Sequence, residues 1–540
     1  MRPDGARSNS SGGLTGSFLG GTYALAVAAV VNRVLGAVYR VLLYGALQRE
    51  GMGLLQMALP VYFLTVAMCT SGIRTATSRM VAEREARGRP GEGYTVFRTS
   101  LWLLSVLGFA LSVVLFGLSR PIARYLTKDP RSVIVLAAIA PGIFFEAVTA
   151  AYRGLFHGRQ RMWPAAVSQI VEQVVRMGTT FLLVFALLPI GIEMAAAGAA
   201  VGSVIGSVAG FISILWAHSS SREGVSLRGR SGTHDSARLQ RSRLLQSTPG
   251  SHVKAGSGPL LREMARIAAP VSLVTILLSA TRVIDVAVIP LRLQTMGLSV
   301  SEATALYGQL TGGAMPLVTL PTVITAALQV SLVPAVTRAQ ATRDVARIRK
   351  LLGTAFRITV TLMLPAVAGL YVLSEELPRF LYKDPELAPI IAVMAAMPLL
   401  MSLEQVTSGG LQGLGKFSVM FRNLLLAAGA QTLVTYSLTG LPRFGIIGAA
   451  YGMITGCAVG AGLNFISLAH ETPGLVVDAL AAVLRPAISA LLMGVVVRYS
   501  CGFLAAATHL ESVALIGSGG LGAVVYLLMV GGITGIRRAV

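Results

Sequence analysis

Apolar residues run along this chain in long blocks. They do not recur at the two-residue period of a strand or on one stripe of a helix. Fourteen blocks are centred in 18–46, 52–73, 96–118, 132–151, 165–188, 194–216, 265–290, 311–336, 354–374, 387–411, 419–439, 445–468, 484–504 and 511–533. Each holds roughly the 20 mainly apolar residues that a helix needs to cross a bilayer. The pattern predicts an all-α polytopic membrane protein with about 14 transmembrane helices. Arg33 and Arg40 interrupt the first block, which reads as a retained helix and not a cleaved leader.

One interval is different in kind. Residues 217–262 are rich in Ser, Gly and Arg and have almost no apolar periodicity, the composition of a flexible linker. Its basic residues suit a cytoplasmic tether near anionic headgroups. The sequences on its two sides repeat each other. Arg124-Tyr-Leu-Thr-Lys-Asp-Pro130 matches Arg379-Phe-Leu-Tyr-Lys-Asp-Pro385 at an offset of 255, and Gly154 and Gly158 match Gly409 and Gly413. The series Gly198, Gly202, Gly206, Gly210 matches Gly448, Gly452, Gly456, Gly460 at an offset of 250. Glycines four apart share a helix face and let a second helix approach closely. The expected organisation is therefore a cytoplasmic N-terminus (1–17), a first six-helix lobe (18–216), the linker (217–262), a second six-helix lobe (263–468) and two additional helices (469–540). An even number of spans per repeat makes the repeats parallel, which suggests rocking about a site between them.

Composition narrows the class. Of 540 residues, 54% are hydrophobic and 13% charged, against about 25% charged in a soluble domain. Soluble enzymes and disordered chains are both excluded. There are 45 Lys+Arg against 23 Asp+Glu, a net +22. In a soluble protein that excess would suggest nucleic acid. Here the basic residues outside the fourteen spans fall mostly on one side. The bias places both termini in the cytoplasm. The basic segment Arg120, Arg124, Lys128, Arg131 falls on the outer side, and its duplication marks it as a structural corner. Cys69, Cys457 and Cys501 form no CxxC pair and read as small apolar residues. The six histidines have no metal-ligand spacing, and no cofactor is implied.

Charges inside the spans are costly, about 2.5–3.5 kcal/mol each on insertion scales, so they should face protein or water. Arg33 and Arg40 lie seven apart on one face of the first helix. Arg282, Asp285 and Arg292 lie on the seventh, and Arg74 ends the second. Arg33 and Arg282 occupy matching places in the repeat, Asn-Arg-Val-Leu and Thr-Arg-Val-Ile. Glu146, Glu172, Arg176 and Glu404 complete the set. In one reading Glu172–Arg176 and Arg282–Asp285 neutralise each other locally, and Arg40, Arg74 and Arg292 snorkel to the interfaces. In the other, Arg33, Arg40, Arg74, Arg282 and Arg292 line a cationic cavity fit for a diphosphate, because guanidinium binds phosphate bidentately and stays charged when desolvated. Glu146, Glu172, Arg176, Asp285 and Glu404 are then coupling or structural charges.

Several segments carry a resemblance. They include Asn32-Arg-Val-Leu-Gly-Ala-Val-Tyr-Arg40, Glu50-Gly-Met-Gly-Leu-Leu-Gln-Met57, Ser168-Gln-Ile-Val-Glu-Gln-Val-Val-Arg176, Ala303-Thr-Ala-Leu-Tyr-Gly-Gln309, Leu320-Pro-Thr-Val-Ile-Thr-Ala-Ala-Leu328 and Leu411-Gln-Gly-Leu-Gly-Lys416. Through them the chain resembles bacterial polysaccharide-export proteins of the stage V sporulation protein B type. These belong to the multidrug/oligosaccharidyl-lipid/polysaccharide exporter superfamily, which includes lipid II flippases. The resemblance implies two lobes in a V, two extra C-terminal helices, and transfer of a polyprenyl-diphosphate-linked saccharide for peptidoglycan, spore cortex or another surface polysaccharide. Arg33 fits the arginine of that group's Ser-Arg-Val-Leu-Gly pattern. Gln309 stands where some lipid II flippases place an arginine.

Three function classes are then in play. The first is a lipid-linked-saccharide flippase, acting as a monomer among membrane lipids, with no nucleic-acid partner. Its energy would come from the membrane potential or an unspecified coupling ion, since the chain has no GxxxxGK[ST] phosphate loop. The second is a cation-coupled multidrug exporter, which would want a net acidic cavity. The third is a membrane glycosyltransferase, which would need acidic residues in a water-facing loop.

Overall fold

The computed structural model describes residues 12–228, 257–508 and 510–534, with side chains over 35–36, 38–220, 258–508 and 510–531. The described residues contain helices and no strand. The main helices are α1 Gly12–Ala86, α2 Pro90–Gly117, α3 Ser132–Ile139, α4 Gly142–Gly158, α5 Met162–Leu187 and α6 Ile192–Arg228. After the segment 229–256 come α7 Ser257–Thr295, α8 Val300–Gly308, α9 Val323–Ala341, α10 Val345–Val372, α11 Met397–Gly413, α12 Phe417–Thr439 and α13 Ile446–Glu471. Two more, α14 Leu475–Thr508 and α15 Glu511–Thr534, end the described chain.

Thirteen helices among the described residues are long and apolar enough to cross a membrane. The first, Val38–Ala86, is 49 residues long, about twice what one crossing needs. Its helical dihedrals break at Gln48, which adopts φ 54° and ψ −167°. Residues 36–43 before the break and 52–66 after it line the same cavity, so α1 folds back on itself there. The helix that begins at Val300 is broken in another way. Pro316, Pro321 and Pro334 lack backbone donors, and the chain passes through a wide turn at Gln309–Ala314 and a tight one at Leu320–Thr322.

The helices show the inside-out burial of a lipid-solvated bundle. On α2, Trp102, Phe109 and Phe116 recur every seven residues and are exposed. Gly93, Phe97, Ser100, Leu104 and Gly108 are buried on the other face. Large apolar side chains point to lipid and small ones set helix spacing, because lipid provides no hydrophobic drive between helices.

The same approach occurs in both halves. A Cβ on Gly154 of α4 would press on Thr77 and the Arg74 carbonyl, and one on Gly409 of α11 would press on Gln329, 255 residues after Arg74. Gly158 packs on Val81, and Gly413 packs on Val336 with the same offset. The glycines of α6 lie on α5, with Gly202 against Thr180 and Gly206 against Arg176. Those of α13 lie on α12, with Gly452 against Thr435 and Gly456 against Gln431.

At the Gln48 end the two halves are locked together. Asp384 is buried and accepts from Tyr44 Oη at 2.7 Å, from Arg49 Nε at 2.8 Å and from Gln309 Nε2 at 3.3 Å. Asp129, equivalent to Asp384 in the repeated corner, is also buried and accepts from Thr304 Oγ1 at 2.7 Å and Arg131 Nη2 at 2.8 Å. Asp129 first, then Glu50, hold the Arg131 guanidinium more firmly protonated than a free arginine. Before each aspartate a lysine takes the left-handed conformation, Lys128 at φ 58° and Lys383 at φ 55°. Gly53 and Gly308 make the tightest approach. A Cβ on Gly53 would collide with the Thr304 carbonyl, and one on Gly308 with the Arg49 carbonyl. At the opposite end Arg84 meets Glu263 at 3.0 Å and Arg159 meets Glu85 at 2.7 Å.

Candidate functional site

Each half encloses a polar cavity. The first, of about 250 Å³, is lined by both arms of α1 and by α4, α5 and α6, with Arg40, Gln56, Glu146, Glu172, Gln173 and Arg176 as its polar side chains of longest reach. Glu172 is clamped from two sides. Arg176, one helical turn on, donates to one carboxylate oxygen, and Arg153 Nη2 donates to the other at 2.8 Å. Arg153 also donates from Nε to Ser168 Oγ at 3.2 Å. Glu146 accepts from Ser207 Oγ at 3.0 Å. The expected Glu172–Arg176 pair is therefore part of a triad.

The sequence alone does not point to Arg153, which falls just after the fourth expected span. The signal was its place beside Gly154, on the face of α4 that packs against α1. Fully buried ions need such partners, because a lone charge in low dielectric costs several kcal/mol.

The second cavity, of about 390 Å³, is lined by Arg282, Asp285, Glu404 and Gln431 from α7, α11 and α12. Here the expected local pair does not form. Asp285 accepts two hydrogen bonds from Gln431 Nε2, at 3.1 and 2.8 Å, and Arg282 remains exposed to the cavity. Arg40 from the first half and Arg282 from the second lie within electrostatic range of each other. A third cavity of about 270 Å³ adjoins the second through Leu278, Glu404 and Leu424.

The remaining sequence-predicted residues separate. Arg74 is exposed on α1 and within electrostatic range of Arg153 and Glu146, with no ion pair among the described residues. Arg292 does not join the cavity. Its Nε donates to the Tyr436 carbonyl at 2.9 Å and its guanidinium stacks 4.4 Å from the Tyr436 ring centre, against Gly440 at the end of α12. It sits ten residues beyond Arg282, nearly three helical turns along α7, which carries it out to the Gln48 end. Arg33 lies in α1, but its side chain is outside the described residues. Gln309 joins the Asp384 lock. Among the described residues no three His, Cys, Asp or Glu side chains come together as metal ligands.

Comparison with known proteins gives a consistent picture. The family model described as polysaccharide biosynthesis protein matches residues 18–340, and the MatE model matches 310–437. Stage V sporulation protein B of Bacillus subtilis is 30% identical over 457 residues, covering 85% of this chain and 84% of the relative. Lipid II flippase MurJ of the same organism is 23% identical over 536 residues, covering 93% and 94%. Among solved structures, a lipid II flippase MurJ in an inward closed conformation superposes with a TM-score of 0.67 at 17% identity, over 95% of this chain and 99% of that one. An inward-facing multidrug resistance MATE family transporter superposes with a TM-score of 0.64 at 15% identity, over 84% and 99%.

Proposed function

The chain belongs to the polysaccharide biosynthesis protein family, and we propose that it is a flippase carrying a polyprenyl-diphosphate-linked saccharide between leaflets by alternating access. It is a multi-pass membrane transporter and not an enzyme. The observation that carries the proposal is that each half's polar cavity carries an arginine, Arg40 in the first and Arg282 in the second, close enough to repel each other. Two guanidiniums that repel each other gain most from an anion between them. A diphosphate supplies oxygens for both forks while its polyprenyl tail remains in lipid. Arg74 extends the positive region, and Arg33, on the same face of α1 as Arg40, is assigned to it from sequence. A pump for cationic drugs would place excess acid here. The first cavity and its surroundings instead hold Arg40, Arg74, Arg153 and Arg176 against Glu146 and Glu172.

The basic-residue bias puts the Gln48 end outside and both termini in the cytoplasm. In that orientation the Asp384 and Asp129 locks close the outer side, and the cargo enters from within. The reading of residues 18–216 and 263–468 as rocking lobes, joined by 217–262 and followed by 469–540, fits the paired helix contacts of the two halves. Glu146, Asp285 and Glu404 are the candidate groups for coupling to an ion gradient. Similarity to a sporulation protein and a lipid II flippase supports a role in peptidoglycan or spore-cortex assembly.

The test is a leaflet-accessibility assay in proteoliposomes. Lipid-linked saccharide should cross, and Arg40→Ala or Arg282→Ala should slow it about 10- to 100-fold, the value of hydrogen bonds to a charged group. Insertion should be unchanged. A protein that moves cationic dyes but no lipid-linked saccharide overturns the proposal.

A further inference from the structure

The third cavity is unlike the other two. Gln329, Gln405, Ser408, Gln412 and Asn464 line it, with Glu404 the one ionisable side chain on its wall. Its polar groups are partly tied down. Asn464 Nδ2 donates to Ser408 Oγ at 3.0 Å, and Asn464 Oδ1 accepts from Asn423 Nδ2 at 3.0 Å. The Gln405 carbonyl accepts from Thr325 Oγ1 at 3.0 Å, which leaves its amide nitrogen for the cavity. The Gln412 amide nitrogen rests on Met420 Sδ at 3.4 Å, which leaves its carbonyl. Gln329 has no hydrogen-bond partner among the described residues, and all six wall residues are half-buried or buried. Hydrogen-bonding groups fixed by their neighbours, with donors and acceptors spare, are poised for a ligand that supplies both.

The repeat shows that this chemistry is a departure. At the offset of 255 that relates the packed glycines, Gln329 stands for Arg74, Ser408 for Arg153 and Gln412 for His157. In α12, Ala427 and Gln431 stand for Glu172 and Arg176. Two cations and a histidine of the first half thus correspond to two carboxamides and a hydroxyl on the wall of the third cavity. A diphosphate gains nothing from such a wall, and a cationic dye meets one carboxylate. A sugar is matched, because each of its hydroxyls donates and accepts without charge.

Resting on the flippase reading, we infer that the carboxamide-lined cavity of the second half is a subsite for the saccharide of the cargo. Its hydroxyls meet Gln329, Gln405 and Gln412, while the diphosphate stays between Arg40 and Arg282. The two positions are contiguous through the second cavity, where Arg282 and Glu404 share a wall. The arginine pair then recognises what all such lipids share, and the third cavity reads which glycan is attached.

The experiment compares two probes in proteoliposomes: a polyprenyl diphosphate, and the same lipid carrying a disaccharide with no peptide. The double variant Gln329→Met/Gln412→Met keeps side-chain volume and removes both amides. It should lower the ratio of saccharide-lipid to bare-lipid transport roughly 5- to 100-fold, as two lost hydrogen bonds require. Gln329→Asn/Gln412→Asn, which keeps the amides on shorter stems, should recover part of the ratio. An unchanged ratio overturns the inference, and so does a parallel loss of both lipids, which marks a structural role. If the wild type moves neither lipid, the flippase reading fails first. If it moves both and the variants keep the ratio, the subsite alone fails. Thermal melting of each variant reports folding independently of transport.

Discussion

The two halves of the molecule share their helix spacing and differ in what their interiors hold. Gly154 and Gly158 seat α4 on α1 as Gly409 and Gly413 seat α11 on α9, and the glycine faces of α6 and α13 lie on α5 and α12 at corresponding residues. Within that common frame the first interior is ionic and the second largely neutral. Arg153, Glu172 and Arg176 form a closed triad, whereas their counterparts Ser408, Ala427 and Gln431 hold no charge. The difference teaches which positions a repeat is free to change. Where a Cβ would strike a backbone, the residue is fixed by geometry. One helical face away, where side chains meet a cavity, the residue types of the two halves differ.

An ionic interior is also more fragile, which gives the sharpest way to break the comparison. Glu172→Gln removes the negative charge and one of the two oxygens that face two arginines, of which Arg153 is 7% exposed. Leaving a buried charge without its partner costs about 3–5 kcal/mol. The variant should lose a large part of its stability, read as a lowered melting temperature in detergent. In the second half the matching disruption is Asn464→Leu, which removes the Asn464 amide from Ser408 and one of the acceptors of Asn423. Buried neutral groups without partners cost about 1–3 kcal/mol, so its melting temperature should fall by less. Equal losses would show that the contrast between the interiors has no energetic content.

Much of this was legible beforehand, and the gaps are physical. Membrane-spanning helices announce themselves by composition, because every face of such a helix is apolar. The fourteen expected spans and the thirteen long helices differ over α1, where a single residue, Gln48, carries the reversal. The sequence reads the polar Gln48-Arg49-Glu50 as the break between two spans, whereas helix runs up to both sides of the one-residue reversal and the two arms count as one. The repeat was visible in the Lys-Asp-Pro corners and the glycine series, since both are tied to backbone conformation. The partners of the buried charges were not visible. Local spacing suggested Arg282–Asp285, yet Asp285 is held by Gln431 from a helix 146 residues away in sequence. Arg153 and the carboxamide wall were missed for the same reason, as each becomes a group only when α4 meets α5 or when α9 meets α11 and α13.

Arg282 and Arg292 carry the last and smallest expected effect. They share a helix and a residue type, and sequence placed both in one cationic cavity. The structure gives them different neighbours. Arg282 is exposed to the second cavity near Arg40, while Arg292 lies over the Tyr436 ring and bonds the Tyr436 carbonyl at 2.9 Å. A cation over an aromatic ring at such an accessible site contributes about 0.5–1 kcal/mol. Arg292→Gln should therefore lower the melting temperature slightly and leave lipid transport within about twofold, the effect of a few tenths of a kcal/mol. Arg282→Gln should do the reverse, with transport falling at near-normal stability. If Arg292→Gln abolished transport in a folded protein, the cationic path would extend to the Gln48 end. The phosphate would then have to be followed along α7 through nearly three turns, and the division between a charged half and a neutral one would not hold.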